Sequence, residues 1–238
     1  EVLVADGLTP AQVCDAVKAD SLLHAQEKAQ ALFAKKAFKA EVVANRELLN
    51  GGAGTADGRS TRHVEVKLPD GVTYKAGDHL GVVAANPEAV VLAYLARVAM
   101  RADAVVRVAT ADPADAEQHP GFLPLSKPMA AFTALSYFYE LQQPVTRTQL
   151  HQLAGLAADA EEQARLTRLS SDEEEEGDSE SEGTYASLVL GPRRTLLEVL
   201  ALFPSVEVRF AHLPALLPPL KPRYYSISSS PLGPAGPS

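Results

Sequence analysis

KPRYYSISSSP, residues Lys221 to Pro231, is the stretch from which the rest of the chain can be ordered. YYSIS (Tyr224 to Ser228) has the texture of a strand. On a strand, residues 223 and 225 project to the same side, so the Arg223 guanidinium and the Tyr225 ring can face one ligand together. The guanidinium is a planar fork suited to phosphate oxygens, and the ring is a flat apolar face for stacking on a fused heterocycle. That pairing suits a dinucleotide with a pyrophosphate and a large aromatic ring. Ser226 can reach a polar edge of such a ring through its hydroxyl if the strand twists or ends there. The same four residues also read as an ordinary Tyr- and Ser-rich strand with an arginine on its rim, and alone they do not choose between the two.

Working outward from that run, VEVRF (Val206 to Phe210) predicts another strand, and Leu196, Leu197, Leu200 and Phe203 stripe a helix that stops before Pro204. Thr146 and Gln149 form a capping-box pattern ahead of Leu150, Leu153 and Leu156. Asn86 is placed to cap a helix and Pro87 to take its first position, with Val90, Val91, Tyr94, Leu95 and Val98 on one face. Before Asn86 the texture is again that of strands. VEVKL (Val64 to Leu68) alternates with period two, and HLGVV (His79 to Val83) is a short apolar run bounded by Gly77, Asp78 and Pro87. Turn signals at Pro69, Asp70 and Gly71 join them. Ala11 to Ala40 is rich in Ala, Lys, Gln and Leu, with Val13, Val17, Leu32 and Phe33 spaced for one or two helices. Strands thus cluster on either side of a long helical block, which an antiparallel β-domain interrupted by an inserted helical domain explains better than a βαβ alternation.

The 238 residues are 46% hydrophobic, enough for a real core, and carry a formal charge of −8. Eight acidic residues lie between Asp172 and Glu182, and outside them 22 acidic side chains face 22 basic ones. The charge therefore describes one segment, and no basic footprint for nucleic acid is left. That segment, SSDEEEEGDSESEG, cannot bury apolar surface and predicts a solvated, disordered insertion; a docking tail for a basic partner is the other reading. Cys14 is the single cysteine, which excludes an internal disulfide. No apolar run reaches the roughly 20 residues needed to span a bilayer and no signal-peptide pattern opens the chain, so the expectation is a cytoplasmic protein. The start without Met and the Pro/Gly-rich end PLGPAGPS look like cuts in a longer polypeptide. GGAG (Gly51 to Gly54) lacks the Lys-Ser/Thr of a phosphate loop and reads as a turn. The six histidines lack metal-ligand spacing, and His79 reads as structural, because nothing in sequence sets a nucleophile or second base beside it.

Arg-x-Tyr-Ser followed by Ile and small residues resembles the FAD-binding signature of ferredoxin-reductase-like barrels, and KPRYYSISSSP is very similar to the version in NADPH-cytochrome P450 reductases. Three further stretches match in order. VVANREL with STRHVEVKLPDG resembles the opening of that family's FAD domain, YKAGDHLGVVAANP its next strand pair, and LQQPVTRTQLHQLA part of its helical connecting domain. The wording is most similar to the reductase halves of self-sufficient cytochrome P450 fusions, while sulfite reductase and nitric oxide synthase reductases share the architecture.

The resemblance implies an α+β fold: an incomplete antiparallel Greek-key FAD-binding β-barrel, ferredoxin-reductase-like, interrupted by an inserted all-helical connecting domain. The expected organisation is a helical segment over 1–40, the first part of the barrel over 41–85, the connecting domain over 86–220 with the acidic insertion at 170–183, and the barrel resuming over 221–238. It also implies roles. Arg223 contacts the FAD pyrophosphate, Tyr224 belongs to the same contact run, Tyr225 stacks on the isoalloxazine, and Ser226 lies at the flavin's reactive edge as the catalytic residue. Arg147, in PVTRTQL, matches an arginine that reaches FAD from the connecting domain, and otherwise reads as a surface arginine. Arg62, in STRHVEV, matches an arginine at the NADP phosphate end, and otherwise reads as a rim residue of an exposed strand. The implied function is part of an enzyme passing electrons from NADPH to FAD, to FMN and on to a heme protein, with NADPH-binding and FMN domains elsewhere in the parent chain. The alternative from another class is a non-catalytic interaction module that kept the connecting domain.

Overall fold

Two compact units appear in the computed structural model, which describes residues 37–49, 59–107, 128–171 and 183–232. The expected helices of 11–36, GGAG and the acidic run lie outside those residues, and 37–40 have no regular structure. One unit contains the described strands up to Val82 and from Arg223 onward; the other covers Val83–Pro222.

In the strand unit, β1 (Glu41–Glu47) pairs antiparallel with β2 (Arg62–Lys67), and β3 (His79–Val82) pairs antiparallel with β6 (Arg223–Ser226). The period-two pattern of VEVKL sets the first register. Val42 faces Val66, Asn45 faces Val64 and Glu47 faces Arg62 on one side, while Arg46 with His63 and Ala44 with Glu65 share the other. A bulge at Val43 lets both patterns stay in phase. Val42 and Val64 remain more than half or half exposed, at 57% and 50%, because among the described residues no further strand covers the apolar side of this two-stranded ribbon. Among the described residues the strands stay as separate two-stranded sheets and close no barrel.

The helical unit is built from α1 (Glu88–Arg97), α2 (Ala131–Tyr137), α3 (Arg147–Ala154), α4 (Ala160–Ser170), a π-helical turn (Ala186–Leu190), α5 (Leu196–Leu202) and the short α6 (Leu213–Leu216). It is not all helix: β4 (Val105–Val106) and β5 (Met129–Ala130) form a two-residue antiparallel ladder within it. The predicted faces go inward. Val91, Tyr94 and Leu95 of α1 and Leu150 and Leu153 of α3 join one core with Leu135, Phe138, Leu196, Val199 and Phe203. Each fully buried leucine there contributes about 1.5–3 kcal/mol. The Thr146–Gln149 capping box forms, and a second one, Thr195 with Glu198, starts α5. No helix among the described residues is long and apolar enough to cross a membrane.

Two expectations need correction. Asn86 does not cap α1, whose N-cap position is Pro87 without a side-chain bond. Its amide is drawn away: Asn86 is buried, and Nδ2 donates to the carbonyls of Leu135 and Tyr139 at 2.7 Å each. VEVRF is not a strand either. Val206, Val208 and Phe210 are buried and alternate with exposed Glu207 and Arg209, as its period predicts. The backbone, however, meets a partner only at the single bridge between Val206 and Ala157, after which the chain turns into a 3-10 turn at Phe210–His212.

Tyr139 is fully buried, and its hydroxyl has no hydrogen-bond partner among the described residues. Burial pushes that phenol above its ordinary range. An unsatisfied buried hydroxyl costs ~1–3 kcal/mol, so Tyr139→Phe is expected to raise stability by about 1 kcal/mol. Urea unfolding would show a higher midpoint at unchanged slope. A lower midpoint would mean that the hydroxyl is satisfied after all.

Candidate functional site

The decisive run becomes β6, and its geometry follows from its partner strand. Val82 faces Arg223, Leu80 faces Tyr225, Gly81 faces Tyr224 and His79 faces Ser226. Arg223 and Tyr225 therefore share one face with the apolar side chains of Val82 and Leu80, and Tyr224 and Ser226 share the other with His79. All four β6 residues are exposed, Tyr225 at 58% and Tyr224 at 64%. Tyr225, left open beside Arg223, gives that face a surface that a ligand can cover.

Beyond the ladder, the flanking segments hold β3 and β6 together. Ile227 N donates to Asp78 O at 3.1 Å, and the hydroxyls of Tyr74 and Ser229 lie 2.8 Å apart. The turn before β3 is closed by Asp78 N donating to Lys75 O at 3.1 Å and Lys75 N donating to the Asp78 carboxylate at 2.7 Å. Gly77 makes it possible with φ +91°, where a side chain would be strained. The sequence reading missed these ties, although YKAGD is a visible turn signature. Strand β6 ends at Ser226, the circumstance under which its hydroxyl can reach the edge of a ring lying on the Arg223–Tyr225 face.

Does this face fit FAD? Arg223 and Tyr225 stand about 7 Å apart along the strand, a cationic fork beside an exposed aromatic ring backed by apolar neighbours. That donor set matches a pyrophosphate attached to a fused heterocycle, and the open rings supply the area that stacking would cover.

Arg62 begins β2 in the other sheet of this unit, with its side chain 53% exposed. Its Nε lies 3.9 Å from the carboxylate of Glu47, directly across the ladder. Glu47 is a residue the sequence reading passed over. Its Oε1 accepts from the backbone N–H groups of Leu48, Leu49 and Thr61 at 3.1, 3.0 and 2.8 Å, and its Oε2 accepts from the Ser60 hydroxyl. With those donors in place the contact with Arg62 is Coulombic and not a hydrogen bond. The Ser60 hydroxyl first, and the three amides after it, hold the Glu47 carboxyl down at about 2.

A carboxyl whose folded value lies below its ordinary one contributes stability that is complete above the ordinary value of 4.5 and is lost as pH falls towards 2. Unfolding midpoints of the wild-type chain are thus expected to fall across that acid window by more than those of Glu47→Gln. Equal slopes would remove Glu47 as a contributor.

Arg147 opens α3 in the helical unit, directly after the Thr146 cap. Its Nη1 donates to Leu169 O at 3.2 Å and to Ser171 O, carbonyls at the end of α4, and its guanidinium lies 4.5 Å over the Tyr185 ring. The Tyr185 hydroxyl in turn donates to Val145 O at 2.7 Å. Arg147 thus ties the start of α3 to the C-terminus of α4, where a cation is favoured by the helix dipole. The structure brings Arg223, Tyr224, Tyr225 and Ser226 together on one strand and places Arg62 on another sheet and Arg147 in the other unit.

Known reductases resemble this chain over most of its length. A bifunctional cytochrome P450/NADPH–P450 reductase of Bacillus subtilis is 39% identical over 195 residues, covering 82% of this chain and 17% of that relative. A bifunctional relative from Fusarium oxysporum is 32% identical over 177 residues, covering 74% of this chain and 15% of that relative. NADPH–cytochrome P450 reductase of Oryctolagus cuniculus is 34% identical over 198 residues, covering 83% of this chain and 27% of that relative. The chain spans between 15% and 27% of the length of these relatives. The family described as FAD binding domain matches residues 31–234, most of the sequence and all of β1 to β6, and this chain belongs to it.

Proposed function

We propose that the chain is the FAD-holding part of a longer, cytoplasmic NADPH-dependent diflavin reductase that delivers electrons to a heme protein such as a cytochrome P450. The observation that carries this reading is the exposed Arg223–Tyr225 face of β6 in a chain of the FAD binding domain family. In the bound state FAD supplies the redox chemistry, accepting hydride from NADPH and releasing single electrons to FMN.

The residues of this chain bind and orient. Arg223 neutralises the pyrophosphate, Tyr225 covers one face of the isoalloxazine, and Ser226 at the strand end offers a hydroxyl to its reactive edge. Tyr224, on the reverse face, packs along the same contact run. Arg62 receives the phosphate end of NADP, its fork lying on an exposed rim beside a counter-charge. The FAD contact proposed for Arg147 rests on the PVTRTQL resemblance, beside the structural tie that its guanidinium makes to α4. The open apolar side of β1 and β2 supports a Greek-key barrel completed by further strands, with the helical unit as its inserted connecting domain and NADPH-binding and FMN domains completing the protein.

The test is made on the full-length protein. Purified material should carry bound FAD and FMN and reduce a heme acceptor with NADPH. Absence of flavin together with absence of flavin affinity would favour the non-catalytic interaction module instead.

A further inference from the structure

Glu47 is a fixed negative charge. Its side chain is only 7% exposed, and both carboxylate oxygens are engaged, Oε1 by the amides of Leu48, Leu49 and Thr61 and Oε2 by the Ser60 hydroxyl. Those donors keep it an anion at neutral pH. Across the ladder stands Arg62, whose Nε lies 3.9 Å from Oε2 of Glu47 while its side chain stays 53% exposed. Among the described residues Glu47 is the one carboxylate within ion-pair distance of this guanidinium. The next ladder pair on that side, Asn45 with Val64, is uncharged, and His63 and Glu65, 2.8 Å apart, belong to the other side. A phosphate that reaches Arg62 therefore meets an attractive guanidinium with a repelling carboxylate beside it. The three amides and the hydroxyl, a set of donors that would suit an anion, are already occupied by Glu47.

We infer that Glu47 is a specificity-determining residue, a fixed counter-charge that weakens the hold of Arg62 on a phosphate monoester and so limits the preference for NADP over NAD. This rests on the reading that Arg62 receives the phosphate end of NADP. A phosphate on Arg62 and the carboxylate of Glu47 share one guanidinium, well inside a screening length of about 10 Å at moderate salt. The pyrophosphate is common to both dinucleotides, so only the extra phosphate reports the repulsion. The consequence is a dinucleotide that is recognised by its phosphate and still released after hydride transfer.

Isothermal calorimetry of NADP and of NAD binding to the oxidised full-length protein tests this. Glu47→Gln keeps a side-chain oxygen for the amides and removes the charge. It is expected to tighten NADP about three- to tenfold, with a matching fall in KM for NADPH, and to leave NAD unchanged. Most of the gain should vanish at about 1 M salt, where the screening length is about 3 Å. Ser60→Ala loosens the same clasp but keeps the charge, and should bind both dinucleotides as the wild type does. Unchanged or weaker NADP binding in Glu47→Gln, equal tightening of NAD, or the same shift in Ser60→Ala overturns the inference. If Arg62→Gln binds NADP as tightly as the wild type, the reading of Arg62 itself fails, so the two failures are distinguishable.

Discussion

Asn86→Ala is expected to destabilise the helical unit by about 3 kcal/mol. The last carbonyls of a helix have no intrahelical donor, and those at the end of α2 are served from elsewhere in the chain. Asn86 N donates to Ser136 O at 2.8 Å, and its Nδ2 donates to Leu135 O and Tyr139 O at 2.7 Å each. Leu220 N serves Phe138 O at 2.9 Å. Alanine keeps the backbone bond and deletes both amide donors, leaving two buried carbonyls unsatisfied at ~1–3 kcal/mol each. Asn86→Asp should cost more still, because it sets an acceptor against two acceptors at a site that is only 5% exposed. Urea unfolding of the two variants measures both effects. A loss below about 1 kcal/mol for alanine would mean that water reaches these carbonyls.

Arg223→Ala and Tyr225→Ala, each made in the complete reductase, are expected to weaken FAD binding by about 10- to 150-fold. For Arg223 the figure corresponds to charge-assisted hydrogen bonds worth ~1.5–3 kcal/mol. For Tyr225 it corresponds to aromatic stacking on a base-like ring, ~1–3 kcal/mol. The conservative variants separate the two roles. Tyr225→Phe keeps the ring and should bind almost normally, whereas Arg223→Lys keeps the charge without the fork and should fall between. Tyr224→Ala is expected to cost less than Tyr225→Ala, because Tyr224 is as exposed as Tyr225 but points to the other side of β6. Flavin retained after gel filtration, with circular dichroism as a check on folding, reads all five. A Tyr224→Ala loss as large as that of Tyr225→Ala would show that the faces are assigned wrongly.

Local patterns carried most of what could be read without coordinates. Val91, Tyr94 and Leu95 turn inward because a 3.6-residue period fixes which side of α1 is apolar, whatever that side packs against. The box at Thr146 and Gln149 closes within four residues, and so it was legible. Errors arose where the deciding partner is distant in sequence. Asn86 has the right chemistry for a cap, yet its amide is claimed by carbonyls 49 and 53 residues away. VEVRF has the right alternation, but a strand also needs a neighbour, and Val206 finds one only at Ala157. The same limit applies to the site. Arg223 and Tyr225 could be put on one face from period alone, whereas the pairing of His79 with Ser226 depends on a register set across more than 140 intervening residues. Glu47 gave no signal because three of its donors are main-chain amides, which every residue type except proline provides.

The cluster around Glu47 also bears on how this sequence can vary in length. One carboxylate gathers the amides of Leu48, Leu49 and Thr61, and Leu48 N donates to Thr61 O at 2.8 Å, so the end of β1 and the start of β2 are held by a single clasp. Strand register is fixed on the strand side of that clasp, and doubling the length beyond it adds only about 0.6 kcal/mol of closure entropy. The register of Arg62 opposite Glu47 therefore depends on the clasp and not on how many residues separate its two ends.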